Sequence, residues 1–146
     1  MNAAPQLEPS DVDIRVGLAD DAASIAKAWL STQRHVYPNS YALNWQEKTT
    51  RAIEACLERS TVLVAHLVDD PGAMVSFLVS HMFGRVFVVD FAYTEESARR
   101  RGIVRRMMEL ANPNAAPVVF THAPRNENAL RHLVTKCIFD PSMWQR

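Results

Sequence analysis

Three arginines and a glycine, Arg99-Arg100-Arg101-Gly102, followed by Ile103-Val104, come shortly after the apolar stretch Val86 to Tyr93. A strand that ends in a tight basic turn and then opens a helix is suited to an anion such as a phosphate. The first N–H groups of a helix have no intrahelical acceptor, and the helix dipole places partial positive charge at that end. Gly102 lets the backbone approach the anion with no side chain between them, and the arginines add charge and donors. Apolar residues resume at Ile103, Val104, Met107, Met108 and Leu110, a helical spacing. The plainer reading of the same residues is a solvated, basic helix start.

The elements that would position this turn follow from periodicity and punctuation. Asp13 to Val16 reads as a short strand, and Asp20 or Asp21 can cap the helix after it. Ala22, Ile25, Ala26, Trp29 and Leu30 form that helix's apolar face, and Tyr37-Pro38-Asn39-Ser40 breaks it. A second helix runs from about Trp45 to Leu57, with Ile53, Cys56 and Leu57 inward. Three strands follow, Thr61 to Val68, Ala73 to Met82 and Val86 to Tyr93, separated by turns at Asp69–Gly72 and Phe83–Arg85. Beyond the basic helix, Pro117 to His122 reads as a strand and Asn126 to Lys136 as a helix.

This order, with two motifs, resembles the GNAT (N-acetyltransferase) superfamily. The family's central pattern is Q/R-x-x-G-x-G/A, and Arg99 and Gly102 take its first two fixed places, with Val104 at the third. On the last helix Asn126 (or Asn128), Ala129, Leu133 and Phe139 keep the family spacing; Ile138 replaces a Gly, and Val134 stands where a Tyr is usual. The resemblance spans about Asp13 to Phe139. It implies an α/β (α+β) fold: one domain with a mixed, mostly antiparallel central sheet flanked by helices on both faces. It also implies an acetyl-CoA-dependent N-acetyltransferase. Ala92, Tyr93 and Thr94 would line the donor, and Arg99, Arg100, Arg101, Gly102, Ile103 and Val104 would hold its pyrophosphate. Asn126 or Asn128 would contact the pantetheine arm. The thioester carbonyl would be held by backbone N–H groups at a splay between the third of the three consecutive strands, Val86 to Tyr93, and the next one, Pro117 to His122.

Acetyl transfer to an amine also needs a base. Family members often carry a Glu where this chain has Val88. Strand alternation puts residues 88, 90 and 92 on one face, making Asp90 the first candidate base, directly or through water; it reads equally as a structural carboxylate. His122, at the end of the next strand, is the second candidate, because histidine titrates near working pH. Tyr93 sits on the wrong element for the family's acid and reads as a packing residue. A second function remains open: a GNAT-like domain without catalysis, used as a structural or interaction subunit of a larger assembly, for example a phage or other multi-protein particle. Tyr37, Tyr41 and Trp45 suit either a flat amine substrate or a protein interface.

Composition fits one domain. The 146 residues carry 16 Lys plus Arg and 16 Asp plus Glu, so bulk charge gives no reason to expect nucleic acid or an anionic membrane. The arginine cluster lacks interleaved aromatics and is small for a nucleic-acid face. Cys56 and Cys137 form no framework or metal set and read as core residues. The five histidines fall one to an element, so no metal is expected, although His66 and His81 lie on neighbouring strands and could face each other. Residues 1–12 read as an N-terminal arm, held if at all by a protein partner or another copy, ahead of a domain at 13–146. Nothing in the sequence reads as a signal or a membrane span, and a cytoplasmic address is expected.

Overall fold

The computed structural model describes residues 7–36, 45–122 and 137–139. Strand β1 (Val12–Val16) is followed by helices α1 (Ala22–Val36) and α2 (Trp45–Arg59). Strands β2 (Thr61–Leu67), β3 (Asp70–Phe83) and β4 (Val86–Thr94) come next, and then helix α3 (Ile103–Ala111). Strands β5 (Val118–Phe120) and β6 (Cys137–Phe139) complete one six-stranded sheet in the order β1-β2-β3-β4-β5-β6. The first four strands pair antiparallel, and β4–β5 and β5–β6 pair parallel. The expected α+β architecture is therefore present, mixed sheet included.

Helices cover both faces. On one, Ile25 and Trp29 of α1 and Ile53 and Cys56 of α2 close over Val64, Phe77, Val79 and Phe91. On the other, Ile103, Met107 and Met108 of α3 pack on Leu63, Ala65, Leu78, Phe87, Val89, Val118 and Phe120. Trp29, fully buried, stacks on Phe91 with ring centroids 4.6 Å apart. Cys56 is buried here, as its place in the sequence suggests. Leu110, expected inward, is 62% exposed, and Ala111 packs on the core instead. At ~100° per residue Leu110 lies ~90° from the centre of α3's apolar stripe, on its rim.

Several local expectations change. The β2–β3 turn is Val68-Asp69 alone; Leu67 already pairs with Asp70, so Pro71 and Gly72 belong to β3. Asp21 does not cap α1. Its carboxylate turns back to accept from Leu18 N (2.7 Å) and a fork from Arg15 (2.7 and 2.9 Å), tying β1 to the turn before the helix. His66 pairs with Met74 and His81 with Val88, so the two histidines are far apart along β3. Strand β6 lies within the stretch that carries Ile138 and Phe139 of the family pattern, and it pairs with the equally short β5. Tyr37, Tyr41, Asn126, Asn128 and the expected helix Asn126–Lys136 lie outside the described residues.

Part of the expected arm is docked. Residues 9–11 form a short 3-10 turn, Leu7 packs on the α3-side core, and Arg106 donates to the Pro9 carbonyl at 3.3 Å. Val68 N donates to Asp11 O (2.9 Å), and Val12 is 5% exposed. A protein lacking residues 1–6 serves as the reference for the docked residues 7–10. Removing residues 1–10 is expected to cost about 1–2 kcal/mol, roughly 3–6 °C in Tm for a chain of this size, through lost Leu7 burial and the Arg106 bond. Calorimetric melting of the two truncations checks this; equal Tm values would show that residues 7–10 contribute nothing.

Candidate functional site at the β4–β5 opening

The site is organised by one extra residue in β4. Val79 pairs with Phe91 and Ser80 with Val89, which leaves Asp90 unmatched, a β-bulge. A bulge reverses the alternation beyond it. Phe87 and Val89 face α3, whereas Phe91 and Tyr93 pack on the α1/α2 side and Ala92 returns to the α3 side. Residues 88, 90 and 92 therefore do not share a face, contrary to the period-two expectation. Val88 is fully buried against Val119.

The bulge is also where β4 and β5 part. They pair at Phe87–Val118, Val88–Val119 and Val89–Phe120, and Thr121 N still reaches Val89 O at 3.2 Å. Beyond that, β4 runs on to Thr94 with no strand paired to this edge among the described residues. The Asp90 carbonyl turns toward β5, accepting from Thr121 Oγ1 (2.9 Å) and His122 Nδ1 (2.6 Å). A carbonyl only accepts, so Nδ1 carries the proton and the neutral ring's basic lone pair is on Nε2. His122 stands at the opening, edge-on to Trp29 and Phe91 with centroids 5.7 and 5.6 Å away. Burial in this aromatic setting pushes its pKa below the usual histidine value, with the Asp90 carbonyl and charge opposing. The neutral form therefore prevails at pH 7.

Asp90 and His122, the two candidate bases, are thus brought together, but through the main chain. The Asp90 carboxylate is fully buried on the α2 side, where Oδ2 accepts from His81 Nδ1 (2.7 Å) and Ser60 Oγ (3.1 Å). Cys56 Sγ lies 3.6 Å from Ser60 Oγ, and burial, then the nearby Asp90 charge, pushes its thiol pKa up. The structural reading of Asp90 is favoured, with His81 and Ser60 as partners. Sequence reasoning missed both, since only the fold sets β3 and the end of α2 beside the bulge. Tyr93 stacks on Phe77 (5.5 Å), as a packing residue would.

The basic turn keeps its helix-opening geometry. Gly102 and Arg100 have left-handed φ values of 71° and 62°. The first N–H bonded within the helical register is that of Arg106, to Gly102 O (3.0 Å), so the N–H groups of Ile103, Val104 and Arg105 precede any helical acceptor. Space around Gly102 is open. Arg99 and Arg100 are exposed, with Arg99 Nε donating back to Thr94 O at 3.1 Å. The Thr94 hydroxyl lies 2.9 Å from Ser76 Oγ. Val104, branched where the family has Gly or Ala, packs on the α3-side core rather than into the turn. Among the described residues no group of His, Cys, Asp and Glu has the arrangement of a metal site, and no helix is long and apolar enough to cross a membrane.

No family model matches the chain, nor does any curated protein. Solved structures do match. Ribosomal-protein-alanine N-acetyltransferase from Brucella melitensis biovar Abortus 2308 superposes with a TM-score of 0.56 at 21% identity, over 84% of this chain and 87% of that one. A predicted acetyltransferase from Clostridium acetobutylicum, solved with acetyl-CoA, gives 0.60 at 14% identity, over 83% and 86%. A GNAT family acetyltransferase from Brucella melitensis in complex with acetyl-CoA gives 0.53 at 15% identity, over 82% and 80%. The chain has the GNAT fold.

Gly102 is a conformational requirement, not a packing one. Gly102→Val is expected to destabilise by about 1–2 kcal/mol, because a branched residue is strained at positive φ, while Gly102→Asn costs less. Chemical denaturation of the two variants checks the ranking; equal losses would remove the backbone argument.

Proposed function

We propose that the protein is an acyl-CoA-dependent N-acyltransferase, with acetyl-CoA as donor and an amine, small or on a protein, as acceptor. The observation that carries this reading is the opening between β4 and β5 at Asp90, with neutral His122 held in it by the Asp90 carbonyl. The GNAT fold of the acetyltransferases it superposes on supports the same reading.

The residues fit the donor. The N–H groups ahead of α3, the open space at Gly102 and the arginines at 99, 100, 105 and 106 suit a pyrophosphate. Ala92, Tyr93 and Thr94 run along the unpaired edge of β4 from that turn toward His122. When bound, acetyl-CoA supplies an acyl group activated as a thioester. His122 Nε2 takes a proton from the acceptor amine, whose nitrogen forms the new C–N bond as the C–S bond breaks and the sulfur leaves as thiolate. Burial helps here by keeping His122 unprotonated at neutral pH. A cytoplasmic setting, where acyl-CoA is plentiful, belongs to the same proposal.

Calorimetric titration with acetyl-CoA is expected to give one-to-one binding in the micromolar range, about −8 kcal/mol, and Gly102→Arg is expected to abolish it. His122→Ala is expected to lower kcat with a panel of amines about a hundredfold or more, leaving acetyl-CoA affinity unchanged. The rate of the unsubstituted protein should rise with pH as His122 deprotonates, with its midpoint below the usual histidine value. Absence of binding at millimolar acetyl-CoA would sink the proposal and point to a fold reused for assembly.

A further inference from the structure

The Asp90 carboxylate is an expensive thing to bury. It is fully enclosed, Oδ2 takes both of its hydrogen bonds, and Oδ1 is buried with no partner among the described residues. His81, its principal partner, is largely buried as well, and its Nε2 also lacks a partner among the described residues. A core built for stability alone would do as well with apolar side chains in these places. The position of Asp90 gives the arrangement another use. As the unmatched residue of the bulge, it sends its side chain to one set of partners and its carbonyl to another. With the carboxylate bonded to His81 and Ser60 and the carbonyl to Thr121 and His122, the residue is held from both sides of the bulge, and the side-chain anchor limits how far its backbone can shift.

We infer that His81 is a positioning residue for His122: by holding the Asp90 carboxylate through Nδ1 it anchors Asp90 in the bulge, where the Asp90 carbonyl meets His122 Nδ1, and so keeps the basic lone pair on Nε2. The inference rests on the acyl-transfer reading for its consequence, though not for its geometry. Two contacts link the pair, 2.7 Å from His81 Nδ1 to Asp90 Oδ2 and 2.6 Å from His122 Nδ1 to Asp90 O. Ser60, the residue after α2, gives the carboxylate a second donor, and Thr121 gives the carbonyl one. Asp90 also acts through its charge, favouring the imidazolium that forms when His122 takes up a proton. Another titratable group near the carboxylate is the Cys56 thiol, its pKa raised by burial and by Asp90, with Ser60 and Arg59 opposing. The uncharged rings of Trp29 on α1 and Phe91 on β4 stand edge-on to His122.

The test reads His122 directly, by nitrogen-15 NMR of labelled imidazoles in the full-length protein, beside pH–rate profiles with acetyl-CoA and an accepted amine. In the unsubstituted protein the neutral His122 is expected as the Nδ1-protonated form. His81→Leu removes the donor and is expected to raise the Nε2-protonated form, to move the acid limb of the rate profile, and to lower kcat about tenfold with KM for acetyl-CoA unchanged. His81→Gln, which retains an N–H donor, is expected to restore the tautomer and most of the rate. Unaltered His122 tautomer and acid limb in His81→Leu would overturn the inference, leaving His81 a structural residue. Should His81→Leu fail to fold, Asp90→Asn keeps the shape but removes the charge and is expected to shift the His122 pKa downward; no shift would overturn the charge coupling and the inference with it. A protein that shows the tautomer coupling but transfers no acetyl group would refute the enzymatic reading alone.

Discussion

One unmatched residue in β4 governs the rest of the site. A strand in an unbroken sheet shows alternate side chains to alternate faces and gives its carbonyls and N–H groups to its neighbours. The bulge at Asp90 suspends both rules. It moves Phe91 and Tyr93 onto the α1/α2 side after Phe87 and Val89 have faced α3. It falls where β5 stops pairing, and it frees a carbonyl to hold His122. The sheet, the opening and the tautomer of the nearest imidazole therefore share one cause.

What keeps the bulge in place is packing on one side and a polar anchor on the other. Phe91, just beyond it, lies between Trp29 and Phe77, with centroids 4.6 and 5.9 Å away. An aromatic group of this kind contributes several kcal/mol through buried area and has little freedom to shift. The carboxylate of Asp90, by contrast, is held by two hydrogen bonds to residues on β3 and after α2. Apolar contacts hold the backbone beyond the bulge, and the hydrogen bonds anchor the side chain of the bulged residue itself.

The opposite end of the site needs less of the side chains. The turn before α3 works through backbone conformation, at Arg100 and Gly102, and through N–H groups that any residue supplies. That is why Val104 can replace a smaller residue without consequence for the turn: its side chain belongs to the core. A site made largely of main-chain groups tolerates sequence change, which is consistent with fold likeness at identities of 14–21%.

The sequence by itself determined the elements, because element type follows from local periodicity and punctuation. The eight segments from Asp13 to His122 appear as strands and helices close to where their spacing puts them, and a helix opens after Gly102 as expected. Local rules failed where a neighbour in space decides the outcome. Alternation counted along β4 placed Asp90 with Ala92, since a bulge exists only as a mismatch with β3 and leaves no mark in β4's own pattern. His81 and Ser60 looked unremarkable, being 9 and 30 residues from Asp90 in the chain, and only the sheet and the end of α2 bring them to its carboxylate. Tertiary structure alone decided that Asp90 meets His122 through its carbonyl, because that contact needs a bulge in one strand and the end of another at the same place.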